Sequence, residues 1–312
     1  MKDKREIAQE LYNTLQLTDN ALQDSQTAHL YVNHNMVVGS HLLPGLTADV
    51  EETENGISML FRVQAGRRIA RPVHLCFGML PAKGLQEIRL RVEIEEEAHV
   101  DVLAHCTFPN AVDIIHRMEA DIVIAENAQY SYTERHVHCP SGGIQVVPHA
   151  RVHIKEGARF RTDFELIKGR VGSIEIDYES TCEARSVLEM NARINGTGSD
   201  LIKIRETGHL IGDSARGVLT SRIALRDQAR AEVYNKLTAS APFAVGHVDC
   251  KEIVQDQGVA IAVPIVEVSH PKAHVTHEAA IGSVDDRQLE TLMSRGLSED
   301  EAVELIIKGL LK

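Results

Sequence analysis

A chain of 312 residues, 43% of them hydrophobic, can bury a substantial core and has room for two domains. Its net charge of -12 argues against a nucleic-acid groove and against attraction to an anionic bilayer surface. No run of about 18 apolar residues is present, so no helix is expected to span a bilayer. Aromatic residues make up 4% and Trp is absent. Val, Ile and Ala must then fill the core, which suits repeated short strands. The opening Met1-Lys2-Asp3-Lys4-Arg5-Glu6 lacks the apolar core of a signal peptide. Cys76, Cys106, Cys139, Cys182 and Cys250 are odd in number and widely spaced. They make no disulfide framework, and a cytoplasmic protein with reduced thiols is expected.

Residues 3–17 read as a helix, with Ile7, Leu11 and Leu15 on one stripe. Thr18–Gln26 reads as a short helix or a turn, which closes an N-terminal helical segment over residues 1–28. His29–Val32 and Met36–Val38 read as strands around an Asn turn. From there to Gly282 short β-rich runs are broken by Gly, Asn or acidic residues, and the runs repeat. Glu95–Val100, Ile124–Tyr130 and Ile154–Phe160 resemble one another, with Ala98, Ala128 and Ala158 about thirty residues apart. Weaker echoes stand at Cys182–Arg185, Arg226–Ala231 and Asp256–Ala260. A turn at fixed period followed by a strand is the mark of a solenoid. With no helices between the strands, residues 29–282 are expected to form a β-helix, mainly β in class. Each small residue then sits at a corner where bulk would collide. A second corner per coil gives a half-period near fifteen, as from Gly258 to Ala273. A β-sandwich with coincidental turns is the competing reading.

Residues 283–312 return to helix. Asp285 or Asp286 can cap a helix bearing Leu289, Leu292 and Met293 and ending at Gly296. Ser298-Glu299-Asp300-Glu301 is a capping box for a second helix with Ala302, Leu305 and Ile306. These helices are expected to cover the open end of the β-helix. A second reading makes Leu289, Leu292, Met293, Leu297 and Ile306 a docking surface for a partner.

The chemistry concentrates between Gly246 and Gly282, where four histidines, a cysteine and several carboxylates gather. His277-Glu278 lacks the second His of a zincin. If the segment is a strand, His274, Thr276 and Glu278 share one face, with Val275 and His277 on the other. His270, His274 and His277 could converge only on a helix, which Pro271 disfavours. Stacking of coils can bring Cys250 and His247 near His277, and Cys250, His277 and Glu278 would form a mixed site able to hold iron. A second group, His136-Val137-His138-Cys139, reads as a solvated strand with His136 and His138 on one side and Cys139 opposite. Walker, Rossmann and GxSxG patterns are absent, and no CxxC pair exists, which excludes ATP, NAD, serine-hydrolase and zinc-ribbon sites of those types.

The run Val266-Glu267-Val268-Ser269-His270-Pro271, with Val275–Gly282, Leu292–Ala302 and Gly246-His247-Val248-Asp249-Cys250, resembles the SufB/SufD family. The short length is similar to that of minimal archaeal or bacterial members. The resemblance implies a right-handed parallel β-helix and a non-enzymatic scaffold, with no catalytic residue, that assembles iron–sulfur clusters. It implies an ABC-type ATPase partner, SufC, docking near Val284 to Leu310, and pairing with a second copy or a paralogue through the C-terminal end of the β-helix. A transient cluster is expected on Cys250, His277 and Glu278, with His247 as a further metal ligand. In SufB proteins a cysteine stands where this chain has Val268. Its absence resembles SufD, whereas His277-Glu278 resembles SufB. Two alternatives remain beside the scaffold: a SufD-like partner that holds no cluster, and a metal-dependent hydrolase or lyase using His277 and Glu278.

Overall fold

The computed structural model describes residues 3–15 and 24–312. The expected helix or turn at Thr18–Gln26 falls largely outside them. Helix α1 (Lys4–Thr14) starts at a capping box in which Asp3 and Glu6 satisfy each other's backbone N–H. Two hairpins follow, β1 (His29–Asn33) with β2 (Met36–His41), and β3 (Leu46–Glu52) with β4 (Gly56–Val63). The chain then alternates between two sheets through β5 (Val73–Gly78), β6 (Lys83–Ile94), β7 (His99–Phe108), β8 (Asp113–Ile124), β9 (Gln129–His138), β10 (Ile144–Ile154), β11 (Arg159–Lys168) and β12 (Ser173–Cys182). It continues through β13 (Val187–Gly196), β14 (Leu201–Leu210), β15 (Arg216–Leu225), β16 (Arg230–Ala239), β17 (Val245–Val254), β18 (Val259–Val268) and β19 (His274–Gly282). From β5 onward every odd strand pairs in parallel with the next odd strand and every even strand with the next even one. The result is a parallel β-solenoid of about eight turns, as the repeats predict, and not a sandwich.

The corners explain the repeat. Glu97, Asn127, Gly157, Arg185, Ser214 and Phe243 all have a left-handed backbone, with φ between 57° and 69°. Each N–H donates to a carbonyl of the next coil, Asn127 to Glu156 at 3.0 Å for example. Because the left-handed turn reverses the chain within one residue, the residue after it faces inward at the tightest point. That residue is Ala98, Ala128, Ala158, Ser186, Ala215 or Ala244, each fully buried. Gly198, Asp227 and Asp256 supply the same conformation at the opposite corner. Inside, alternate residues of each strand pack one continuous core that runs from Ala28 to Cys250.

Two helical segments lie on the outside. The buried stripe of α1, with Ala8, Leu11, Tyr12 and Leu15, covers Tyr31, Val38 and Cys76. At the other end, α2 (Asp286–Met293) and α3 (Glu299–Leu310) start at the predicted caps, Asp285 and the Ser298/Glu301 box. Their place corrects the expectation of an end cap. Helix α3 sets Ile307 and Leu311, with Val303, against Ala224 and Ile253. Those two residues point outward from β15 and β17, so an apolar spot exists on the flank and the helix pairs with it there. Arg226 and Glu304 add an ion pair at 3.0 Å. The last coil stays open. Ile261, Ile265, Val268 and Ile281 are 40–49% exposed, and β18 and β19 are the terminal strands of their sheets. Helix α2 buries no residue. Leu289, Leu292, Leu297 and Ile306 are half-buried, and Met293 is exposed.

Candidate metal and cluster site

Register sorts the predicted donors. Parallel pairing sets Val248 opposite His277, Asp249 opposite Glu278 and Cys250 opposite Ala279. Side chains alternate along a strand, so Cys250 and His277 face the interior from neighbouring coils. Glu278 and His247 face outward. His247 Nδ1 lies 2.7 Å from the Thr276 hydroxyl, and Glu278 pairs with Lys251 at 3.5 Å. The expected grouping of Cys250, His277 and Glu278 is therefore split within one chain: the adjacent positions 277 and 278 cannot share a face of a strand. The same split sets apart the His277 and Glu278 side chains that a hydrolase or lyase reading joins. His274 and Thr276 share the outer face with Glu278, as the alternation requires. His270 precedes β19 in a turn, where its Nδ1 accepts from the Lys272 N–H at 3.2 Å.

Cys250 has no exposed surface. Burial pushes its thiol above the ordinary range, partly offset by Ser221 and by the Asn235 amide, which donates to the sulfur at 3.8 Å. Glu252, two residues on and on the same face, accepts from the Ser221 hydroxyl at 3.1 Å. Burial pushes its carboxyl up to about 7. His277 is exposed at the open end. Val268 closes β18 at 46% exposure. It offers no ligand, and Cys250 is the thiol within reach of the last coil. Soft and borderline donors near an open edge can take iron or zinc once the thiol loses its proton.

A second group lies deeper. His136 and His138 are buried, not solvated as expected, at 1% and 6% exposure. They point inward with Glu134, whereas Cys139, expected on the opposite side, follows β9 and packs half-buried against the same core. The reason is parity: counted from the corner Ala128, the even positions of β9 face the core. Cys106 on β7 sits in register with His136. Cys106 Sγ, a Glu134 carboxylate oxygen and a His136 ring nitrogen all lie within 4.8 Å of one another. His116, from β8 in the facing sheet, is 1% exposed, and its ring centre is 6.2 Å from that of His136. Burial pushes His116 and His136 down to about 3 and Glu134 up to about 7. Cys106, Glu134 and His116 were not singled out from sequence, because no close spacing along the chain joins them.

The chain is thus a parallel β-solenoid with one group of thiol and imidazole donors in its interior and Cys250 and His277 toward one open end. Comparison with known families takes this further. Residues 80–310 match the family model of the SUF system FeS cluster assembly SufBD core domain, and the chain belongs to the SufBD family. It is 37% identical over 267 residues to an iron-sulfur cluster assembly SufBD family protein of Methanocaldococcus jannaschii, covering 86% of this chain and 84% of that one. A SufBD family protein of Pyrococcus horikoshii is 32% identical over 293 residues, covering 94% and 89%. The iron-sulfur cluster assembly protein SufB of Bacillus subtilis is 22% identical over 259 residues, covering 80% and 54%.

Proposed function

We propose that this chain is a non-enzymatic scaffold of the SUF machinery, and that an iron–sulfur cluster, its cargo, is built at the open C-terminal end of the solenoid. The observation that carries this reading is that Cys250 and His277 lie on the inward face of adjacent strands, one side-chain step apart in register, beside an uncovered last coil. A second copy, or a SufB/SufD paralogue, seated on that end would double the donors and cover the exposed Val268, Ile281 and Ile265. A SufC-like ABC ATPase would engage the exposed and half-buried apolar residues of the C-terminal helical segment, Leu289, Leu292, Met293, Leu297 and Ile306. The family membership supports the assembly role, and the unburied helix α2 supports the docking role.

The test is anaerobic reconstitution with iron and sulfide, followed by absorption spectra. A thiolate- and sulfide-to-iron band is expected in wild type, lost in Cys250→Ala and His277→Ala and kept in Glu278→Ala and His247→Ala. A band that survives both of the first two substitutions defeats the site assignment. A SufD-like role without a cluster is the second reading, favoured by Val268 and by the complete burial of the Cys250 thiol. It predicts no band in wild type together with firm binding of the ATPase.

A further inference from the structure

The group around Glu134 contains two facing acceptors that need a positive centre between them. His138 Nδ1–H donates to the Arg170 carbonyl at 3.2 Å. The other nitrogen, Nε2, is then an acceptor, and His136 Nδ1–H donates to it at 3.1 Å. That bond in turn leaves His136 Nε2 without a proton in the neutral ring. Its lone pair faces a Glu134 carboxylate oxygen at 2.7 Å. Two lone pairs at that separation repel unless a proton or a metal lies between them. The same oxygen is 3.9 Å from Cys106 Sγ, and Tyr178 donates to the second carboxylate oxygen at 3.4 Å. Neither nitrogen of buried His116 has a hydrogen-bond partner, which a fully buried polar ring rarely tolerates.

We propose that Cys106, Glu134 and His136 form a resident site for one divalent cation of borderline softness, zinc or iron(II), inside the solenoid, beside the unpartnered ring of His116 in the opposite sheet. The site is separate from the open end and independent of the assembly role. Ligands about 2.0–2.3 Å from a tetrahedral ion stand roughly 3.2–3.7 Å apart. The separations of 2.7 and 3.9 Å from the Glu134 oxygen lie on either side of that spacing, and all three donors stand within 4.8 Å of one another, so shifts of about 1 Å reach it. Charge also balances: on binding, Cys106 releases one proton, Glu134 is ionised, and the two anions neutralise the dication. No net charge remains in the apolar core, the condition under which buried ions are tolerated. The chain from His136 through His138 to the Arg170 carbonyl fixes the ring tautomer, as outer-shell partners do for metal-bound histidines.

The experiment uses the full chain, refolded anaerobically with cobalt(II) because the site is closed in the folded state. One equivalent of bound cobalt is expected, with tetrahedral ligand-field bands and thiolate-to-cobalt charge transfer. Cys250→Ser should leave that spectrum unchanged, which separates this site from the cluster site. Cys106→Ser should abolish the charge-transfer band, and Glu134→Gln should weaken affinity at least tenfold. Should either variant fail to fold, X-ray absorption on zinc-loaded Cys250→Ser decides without them: one sulfur at about 2.3 Å and two or three lighter ligands are expected. Absence of bound cobalt in wild type, a spectrum that survives Cys106→Ser, or a zinc shell without sulfur each overturns the proposal.

Discussion

Glu206 is a single residue with an outsized linkage to pH. It points inward from β14 with 1% exposure, one carboxylate oxygen without a partner, and a carboxyl pushed by burial up to about 8. The folded protein keeps this proton to near pH 8, while the unfolded chain releases it near the ordinary carboxyl value. Between those limits the unfolded state binds fewer protons, so this group costs stability as pH rises, by an amount of the order of a few kcal/mol. Glu206→Gln is expected to melt at least as high as wild type at pH 5 and well above it at pH 9. Melting curves at both values check this, and a gap that does not widen with pH would mean that Glu206 is ionised when buried. Residue-level legibility was uneven. The chain reading found Cys250 and His277 by composition but grouped them with Glu278, on the wrong face. The missing rule was parity from the corner: positions two, four, six and eight after Ala244 or Ala273 face inward. Applied to Ala98 and Ala128, the same count turns Cys106, Glu134 and His136 inward from the sequence alone. The contribution of His116 depends on how the two sheets face each other, which no local pattern encodes.

At the scale of the element, the coil is the unit, and its corner is the least forgiving part. Ala128 is fully buried directly after a left-handed Asn127. A larger side chain there must displace the neighbouring coils. Ala128→Leu is expected to cost about 1–3 kcal/mol, read from urea melts, while the exposed neighbour Glu97→Gly should gain up to about 1 kcal/mol by relieving an unfavourable backbone. The spacing of Ala98, Ala128 and Ala158 made these corners, and with them the solenoid, visible in advance. Helix positions were equally visible from caps and apolar stripes. Their docking was not, because an amphipathic helix states which face it buries and not against what. Truncation separates the two C-terminal helices. Ile307→Ala should lose about 2–4 kcal/mol of local stability, seen as faster amide exchange over residues 299–311. Leu289→Ala with Met293→Ala should leave the melt unchanged and weaken ATPase binding, measured by calorimetry.

For the whole molecule, the two ends differ. At the start, β1 and β4 pair in parallel with β5 and β6, and their antiparallel hairpin partners β2 and β3 close each sheet, while α1 shields the outer face. At the far end β18 and β19 present unpaired backbone groups and exposed apolar side chains, an edge that invites another chain. A dimer through this end is expected to become monomeric in Ile281→Lys, judged by light scattering; an unchanged mass would place any self-association elsewhere. Helix α3 has a mechanical meaning as well. Its end is tied to Arg193 on β13, which donates to the Lys312 carbonyl at 2.9 Å; its middle is tied to Arg226 just after β15; and its apolar face rests on Ala224 and Ile253, the latter on β17. Three successive coils share this one strap. β17, the last strand so gripped, carries Cys250, so α3 ties the thiol's own rung to the two coils before it, while β19 with His277 lies beyond this apolar contact.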